Sequence, residues 1–330
     1  MQSVNDLSVQ VLQGFGVRAK KVLREKSYYI CKTDKGDKII RKSFDTAERI
    51  VFQHEIKAHL QSQGFTHTDM FDLSASHKPF VEFDGCLFTM SPLISFNETD
   101  FSNNRLFESV VTQTAAFHKA ARHVKFSSRV YYADSGILDV YIKNLADLNA
   151  IKKRVSSQKR FSDFDVLFLK NYHYYAGQLE TAIETLDKTS FKQYVARAKA
   201  NNAICHGLLK EENLLQSGGR IYITNFSHAA VGYSLLDLCN IIRRYVKRLP
   251  DPCLHIEDIV ALYDAVMPLG KEEQRMLYPL LIYPHKFIRI CGQYYSKKRT
   301  WTPNAITNRM EAVVNSRDAY HAYVERVRTL

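Results

Sequence analysis

Two stretches of the chain gather side chains able to hold an anion or move a proton. The first is Lys38-Ile39-Ile40-Arg41-Lys42. Side chains of a strand alternate between faces, which puts Ile39 and Arg41 on one side and Ile40 and Lys42 on the other. Only one of Arg41 and Lys42 can therefore face a cleft, and the pattern leaves that choice open. A guanidinium fork suits a phosphate. Glu55, in the segment that follows, is the first choice of ion-pair partner, with Glu48 second. Solvent-facing charges on an edge hairpin are the competing reading. The second stretch, Ile204-Cys205-His206-Gly207-Leu208-Leu209-Lys210-Glu211-Glu212-Asn213-Leu214-Leu215, packs a histidine, a lysine, two carboxylates and an amide into one loop. Taken alone, His-Gly with an Asn downstream is a weak signal, and His206 reads equally as a satisfied core histidine.

The elements that must position these residues can be sketched. Ser27-Tyr28-Tyr29-Ile30-Cys31-Lys32 is rich in strand formers, Thr33-Asp34-Lys35-Gly36-Asp37 is a turn, and Lys38–Lys42 returns as the second arm of a hairpin. Asp45-Thr46-Ala47-Glu48 opens a helix. Ile50, Val51, His54, Lys57, Ala58 and Leu60 then recur at helical spacing up to Gly64, a C′ glycine. Phe80–Phe83 and Cys86–Met90 flank Asp84-Gly85, a strong hairpin signal. After Ser91-Pro92-Leu93 the character changes to helix, over 107–124, 139–155, 160–187 and 235–247. Strand character returns only at Leu214-Leu215 and Ile221-Tyr222-Ile223. No repeat and no low-complexity linker interrupts the chain.

Composition sets outer bounds. The 330 residues are 45% apolar and 24% charged, enough apolar surface to exclude a disordered chain. No stretch reaches the ~20 apolar residues a membrane span needs. Met1-Gln2-Ser3-Val4-Asn5-Asp6 shows no secretory signal, so synthesis in the cytoplasm is expected. Cys31, Cys86, Cys205, Cys239, Cys253 and Cys291 are scattered without Cys-x-x-Cys spacing, which reads as reduced thiols and argues against zinc. The net charge of +12 comes in short clusters such as Arg243-Arg244-Tyr245-Val246-Lys247-Arg248, without a nucleic-acid module, so a nucleic-acid role is disfavoured.

The second stretch, followed by Ile221-Tyr222-Ile223-Thr224-Asn225-Phe226 and Leu235-Leu236-Asp237-Leu238, resembles aminoglycoside phosphotransferase-like kinases. It matches their His-Gly-Asp loop, their metal-binding strand and the Asp-Leu that opens the next helix. The resemblance narrows to the CotS-like spore coat family. The residues that carry it are Lys32-Thr33-Asp34-Lys35-Gly36, Glu48-Arg49-Ile50-Val51-Phe52, His59-Leu60, Gly64-Phe65, Ala115-Ala116-Phe117-His118-Lys119-Ala120-Ala121, Pro284-His285-Lys286-Phe287 and Gln293-Tyr294-Tyr295-Ser296-Lys297-Lys298-Arg299-Thr300-Trp301. It covers about 10 to 325. It implies an α+β, bilobal protein-kinase-like fold, with a strand-rich N-terminal lobe over 1–92 and a helical lobe over 93–330. It also implies a coat location, with synthesis in the mother cell, and other spore coat proteins as partners. ATP and Mg²⁺ are the ligands of that fold, and nothing in the residues fixes a cofactor here.

The chemistry departs from the family pattern. Phosphoryl transfer needs one carboxylate at the acceptor hydroxyl and a second to hold Mg²⁺. The matching positions are Leu208, which has no acceptor atom, and Asn225, whose amide oxygen carries no charge. Asn213 matches the metal-binding Asn, and His206 the loop's bracing histidine. Removing a base costs ~10²–10⁴-fold, and a lost metal carboxylate several kcal/mol more. Glu211, Glu212 and His228 are the neighbours that could substitute. Arg41 or Lys42 with Glu55 would serve phosphate, and Met90-Ser91-Pro92-Leu93 would be the adenine hinge, where Pro92 removes a donor. Arg24-Glu25-Lys26-Ser27 stands where a glycine-rich loop would lie and contains no glycine. The expectation is a catalytically degenerate pseudokinase of the coat. The alternative is an active phosphotransferase using a non-standard site on a small-molecule or protein hydroxyl. Tyr294, Tyr295 and Trp301 are the candidates for an exposed contact patch.

Overall fold

The structure, a computed structural model, describes residues 7–25, 27–133, 136–248, 254–296 and 303–329. Lys26, Cys253, the Lys297-Lys298-Arg299 cluster and Trp301 lie outside the described residues. The chain divides into two compact units. One comprises residues 1–133 and 197–248, the other residues 134–196 and 249–330.

The first unit opens with α1 (Val9–Gly14), β1 (Ala19–Arg24), β2 (Tyr29–Thr33), β3 (Gly36–Ser43) and α2 (Ala47–Ser62). It continues with β4 (Val81–Phe83), β5 (Cys86–Pro92), β6 (Asn97–Glu98) and α3 (Asn104–Ala120). Five strands form an antiparallel sheet in the order β1-β2-β3-β5-β4. Its two predicted hairpins are present. Thr33 pairs with Gly36 (φ +90°) across the first turn, and Asp84 (φ +50°) with Gly85 (φ +66°) makes the second. Two successive residues of positive φ give a turn whose twist matches the strands, which is why Asp-Gly is favoured there.

One sheet face is covered by α1. Val11, Leu12, Phe15, Val22, Cys31, Ile40 and Met90 form a buried cluster. Helix α1 and strand β1 were not legible in the sequence. Six residues make too short a helix to show a period, and such a helix is held by tertiary packing. Helix α2 starts where predicted. Thr46 Oγ1 accepts from the Arg49 amide at 3.3 Å, and Gly64 (φ +80°) ends the helix.

After α4 (Ile137–Ser156) and α5 (Asp163–Asp187) of the second unit comes α6 (Phe191–Ala200). The chain then returns to the first unit with β7 (Ile204–Cys205), β8 (Leu214–Ser217), β9 (Arg220–Ile223), β10 (Ala230–Val231) and α7 (Leu235–Arg248). Strands β6, β8 and β9 make a small antiparallel sheet, and β7 pairs with β10.

The second unit is completed by α8 (Ile256–Asp264), α9 (Lys271–Ile282), α10 (His285–Tyr295), α11 (Pro303–Asn315) and α12 (Arg317–Glu325). Here the expected exposed patch is corrected. The Tyr294 ring stacks on Phe164 at 3.9 Å, and the Tyr295 hydroxyl donates to Asp165 at 2.9 Å. Both tyrosines are half-buried, and burial and the Asp165 carboxylate push the Tyr295 phenol well up. The spacing that reads as a surface run lies at the end of α10, which turns both rings onto α5. Asp165 also closes the α5 capping box, accepting from the Ser162 amide while Ser162 Oγ accepts from the Asp165 amide. Asp165→Ala removes both functions at once. A loss of about 1–3 kcal/mol is expected, read as a lower urea midpoint of the full chain. An unchanged midpoint would show that neither bond contributes.

Candidate functional site

All residues of the predicted loop lie in the first unit. Asp237, in the first turn of α7, is completely buried. Its Oδ2 accepts from the His206 amide at 2.6 Å and faces His118 Nε2 at 3.2 Å, and its Oδ1 accepts from the Gly207 amide at 2.9 Å. Burial alone would raise this carboxyl. The hydrogen bond and charge of His118 and the hydrogen bond from the His206 amide outweigh it and hold the group below its ordinary value. A buried anion with several donors is the arrangement that makes a charge tolerable in the interior.

The loop follows from this anchor. His206 Nδ1 accepts from the Leu208 amide at 3.3 Å, so Nε2 carries the proton and donates to the Thr224 carbonyl at 2.9 Å. Burial holds the imidazole below its ordinary value, hence neutral. Both ring nitrogens are committed to backbone, so His206 braces the loop. Gly207 (φ +75°) is obligatory: a Cβ there would stand 2.7 Å from the His228 carbonyl oxygen. Next, a short 3-10 turn over Glu211–Asn213 brings Asn213 back under Leu208, and Asn213 Nδ2 donates to the Leu208 carbonyl at 2.9 Å.

Asn225 takes the left-handed conformation (φ +62°, ψ +72°) at the end of the segment after β9. Its Nδ2 donates to Asn213 Oδ1 at 3.1 Å, and its Oδ1 accepts from Ser227 Oγ at 2.8 Å. The structure therefore brings Leu208, Asn213 and Asn225 together in one hydrogen-bonded chain. A divalent metal fits this donor set poorly. Both amide oxygens already accept, neither carries charge, and a hard cation such as Mg²⁺ is held through carboxylate oxygens. Among the described residues, no group of three or more His, Cys, Asp or Glu is placed to hold a metal ion. The candidate substitutes are committed elsewhere. Glu211 accepts from Arg248 at 2.9 Å and Arg244 at 3.4 Å, and Glu212 pairs with Lys210 at 3.3 Å. His228 is exposed.

On the sheet, register separates the two candidate cations. Ile40 lies opposite Met90 in the cluster under α1, and Lys42 shares that parity. Lys42 is exposed and pushed up by its hydrogen bond to Cys86. Arg41 takes the other face, with its guanidinium 5.4 Å from the Tyr28 ring, and its charge bears on Lys57. Glu55 pairs with neither cation. It accepts from the Ser127 amide at 3.0 Å and from the Ser127 and Ser128 hydroxyls at 2.5 Å. Two residues apart on a helix is roughly 200° around the axis, so Glu55 and Lys57 leave α2 on opposite sides.

At the expected hinge, Met90 is buried and its carbonyl accepts from the Asp72 amide at 2.8 Å. Pro92 is exposed and pairs with Lys38, and the following Leu93 amide donates to the Asp37 carbonyl at 2.9 Å. The Met90 carbonyl and the Leu93 amide are thus engaged by the chain itself. Lys57 was missed as a site residue, although it stood on the helical stripe beside Ile50 and Leu60. A lysine on an apolar stripe was the signal. The side chain is fully buried, with Nζ 2.9 Å from Asp69 Oδ1 and 2.7 Å from the Asp69 carbonyl.

Comparison with known proteins gives the family and the fold. A family model described as "Spore coat putative kinase YutH" matches residues 9–327. Spore coat protein S of Bacillus subtilis (strain 168) is 21% identical over 300 residues, 87% of this chain and 84% of that protein. The endospore coat-associated protein YutH of the same strain is 25% identical over 197 residues, 58% of this chain and 56% of that protein. An aminoglycoside phosphotransferase from Alicyclobacillus acidocaldarius superposes with a TM-score of 0.84 at 16% identity, over 99% of this chain and 97% of that one. The spectinomycin phosphotransferase APH(9)-Ia, solved with ADP and spectinomycin, gives 0.57 at 10% identity, over 96% and 95%. The fold is that of the bilobal kinase-like phosphotransferases, as the sequence led us to expect.

Neutral, buried His206 makes stability depend on pH. The unfolded histidine takes up a proton below about 6.5 and the folded one does not, so its contribution is present above that pH and is lost as pH falls. A slope of up to about 1.4 kcal/mol per pH unit is expected from this one group. Melts of the full chain from pH 7.5 to 5.5 should show a shallower slope for His206→Gln than for the wild type. Equal slopes would mean that His206 is not held neutral.

Proposed function

The chain belongs to the family of kinase-like spore coat proteins, and on that premise we propose that it is a pseudokinase of the coat. In this reading it keeps the phosphotransferase frame, does not transfer phosphate, and acts through binding to other coat proteins. The observation that carries the reading is the closed chain from the Leu208 carbonyl through Asn213 to Asn225. The Leu208 alkyl side chain and the Asn225 amide stand at the family's two carboxylate positions, and Asn225 is taken up by Asn213. No base stands at Leu208, and no charge is offered to Mg²⁺ at Asn225. The two changes act on a single step, so either one compromises transfer and neither is offset by the other.

Location follows the same reading. Both curated relatives are coat proteins by name. No helix among the described residues is long and apolar enough to cross a membrane. Synthesis in the mother-cell cytoplasm and deposition on the spore surface are the proposed course. In this reading other coat proteins are the partners, and the degenerate frame offers them a preformed surface.

A second reading, a phosphotransferase with a non-standard site, has one observation in its favour: His206, Asn213 and Asp237 keep the loop in order. A thermal-shift titration separates the two. A ligand that binds only the folded chain adds RT ln(1 + [L]/Kd), about 2.7 kcal/mol at a hundredfold excess, which moves the midpoint by several degrees. The pseudokinase reading expects no Mg²⁺-dependent shift at millimolar ATP. A shift that needs Mg²⁺ and disappears in Asn213→Ala would favour the second reading.

A further inference from the structure

The turn at Asn225 is gripped from one side by helix α2 through two cations two helical turns apart. Arg49 Nε donates to the Ser227 carbonyl at 3.1 Å, and its Nη2 donates to the Ser227 and Ala229 carbonyls at 2.7 and 2.6 Å. The same guanidinium lies 4.5 Å from the Tyr131 ring. Lys57 acts through a carboxylate. Its ammonium bonds Asp69 Oδ1 and the Asp69 carbonyl, and Asp69 Oδ2 accepts from the Asn225 amide at 3.4 Å. The ammonium also stands 3.6 Å from the Phe71 ring and 5.5 Å from the ring of Phe226, the residue next to Asn225.

A fully buried lysine is rare and costly, since each ion taken out of water loses several kcal/mol of hydration. The pair is therefore a poor way to gain stability and a good way to fix one arrangement. What it fixes is the backbone that carries Asn225. That backbone is left-handed, a conformation asparagine tolerates better than other non-glycine residues and one that a fixed partner on its N–H keeps in place. The donor set beside it fits a divalent ion poorly, because both amide oxygens already accept and are neutral.

We propose that Lys57 is a resident cation that positions the turn from inside the fold: acting through Asp69, it holds Asn225 and the 225–229 turn in one conformation that no metal ion is needed to set. The inference rests on the reading that this cleft has no metal-dependent chemistry, and it goes further by naming what holds the turn there. It makes Lys57 and Asp69 positioning residues. The cleft is then built to be rigid while empty, the state a binding scaffold needs.

Hydrogen exchange of the full chain, without nucleotide, tests this directly. Peptides spanning 222–232 are compared in EDTA and in millimolar Mn²⁺. The wild type should exchange slowly and identically in both. Lys57→Met with Asp69→Leu removes both charges, and replacing a buried ion pair by apolar groups commonly leaves a protein folded. In that variant the 224–230 amides should exchange about tenfold faster or more, with peptides from α1 unchanged. Asp69→Asn, of the same size and without the charge, provides the second variant and should also speed the turn. Mn²⁺ slowing the wild-type turn about tenfold would overturn the proposal. So would a folded variant of either kind with wild-type exchange over 224–230. Phosphate release from ATP is measured on separate samples. Turnover with a Mn²⁺-insensitive turn would sink the pseudokinase reading and leave Lys57 in its role, and the converse result would do the reverse.

Discussion

A buried carboxylate cannot be left with empty acceptors, and Asp237 meets that demand by collecting the amides of His206 and Gly207 and the imidazole of His118. This one requirement fixes where the chain after β7 must run. With the two amides pinned, His206 is turned to bridge the Leu208 amide and the Thr224 carbonyl, and only glycine can follow it against the His228 carbonyl. Asn213 then closes the loop on Leu208. Apart from Asn213, which matches a metal ligand of the family, these bonds are made by backbone groups and by the bracing side chains of Asp237, His118 and His206. The frame of a phosphotransferase loop is therefore separable, in physical terms, from the side chains that do its chemistry.

That separation explains how the loop persists with Leu208 and Asn225 in it. In an enzyme of this fold a carboxylate beside the loop asparagine would hold the metal. Here the Asn225 amide stands beside Asn213 instead, donating to its Oδ1 and bringing no charge to a cation. The positive charge that remains nearby is carried by α2, on Arg49 and Lys57, and is spent on backbone carbonyls and on Asp69. The sheet behaves alike, with Leu93 bound to Asp37 and Asp72 bound to Met90.

Local chemistry was legible in the sequence, and distant partners were not. Asp84-Gly85 and Gly36 announced their turns, Thr46 and Gly64 bounded α2, and the Leu208, Asn213 and Asn225 constellation could be assembled from spacing and resemblance. Glu55 was misread because a carboxylate in the right helix was matched to a cation on the strand. The pitch of α2 instead carries it toward Ser127 and Ser128, more than seventy residues away in sequence. Tyr294 and Tyr295 looked like surface for a similar reason: the ring and the carboxylate that bury them come from α5. Lys57 was visible on an apolar stripe. Its meaning depended on Asp69, which lies in a segment with no period of its own.

In the proposed reading the frame is kept and the phosphoryl chemistry is gone. The most direct measurement follows the γ-phosphate of labelled ATP with Mg²⁺ and the full chain, against water and a panel of hydroxyl compounds and coat proteins. Label released or transferred only at the rate of buffer is the predicted result. A Mg²⁺-dependent rate above buffer that disappears in Asn213→Ala would contradict it.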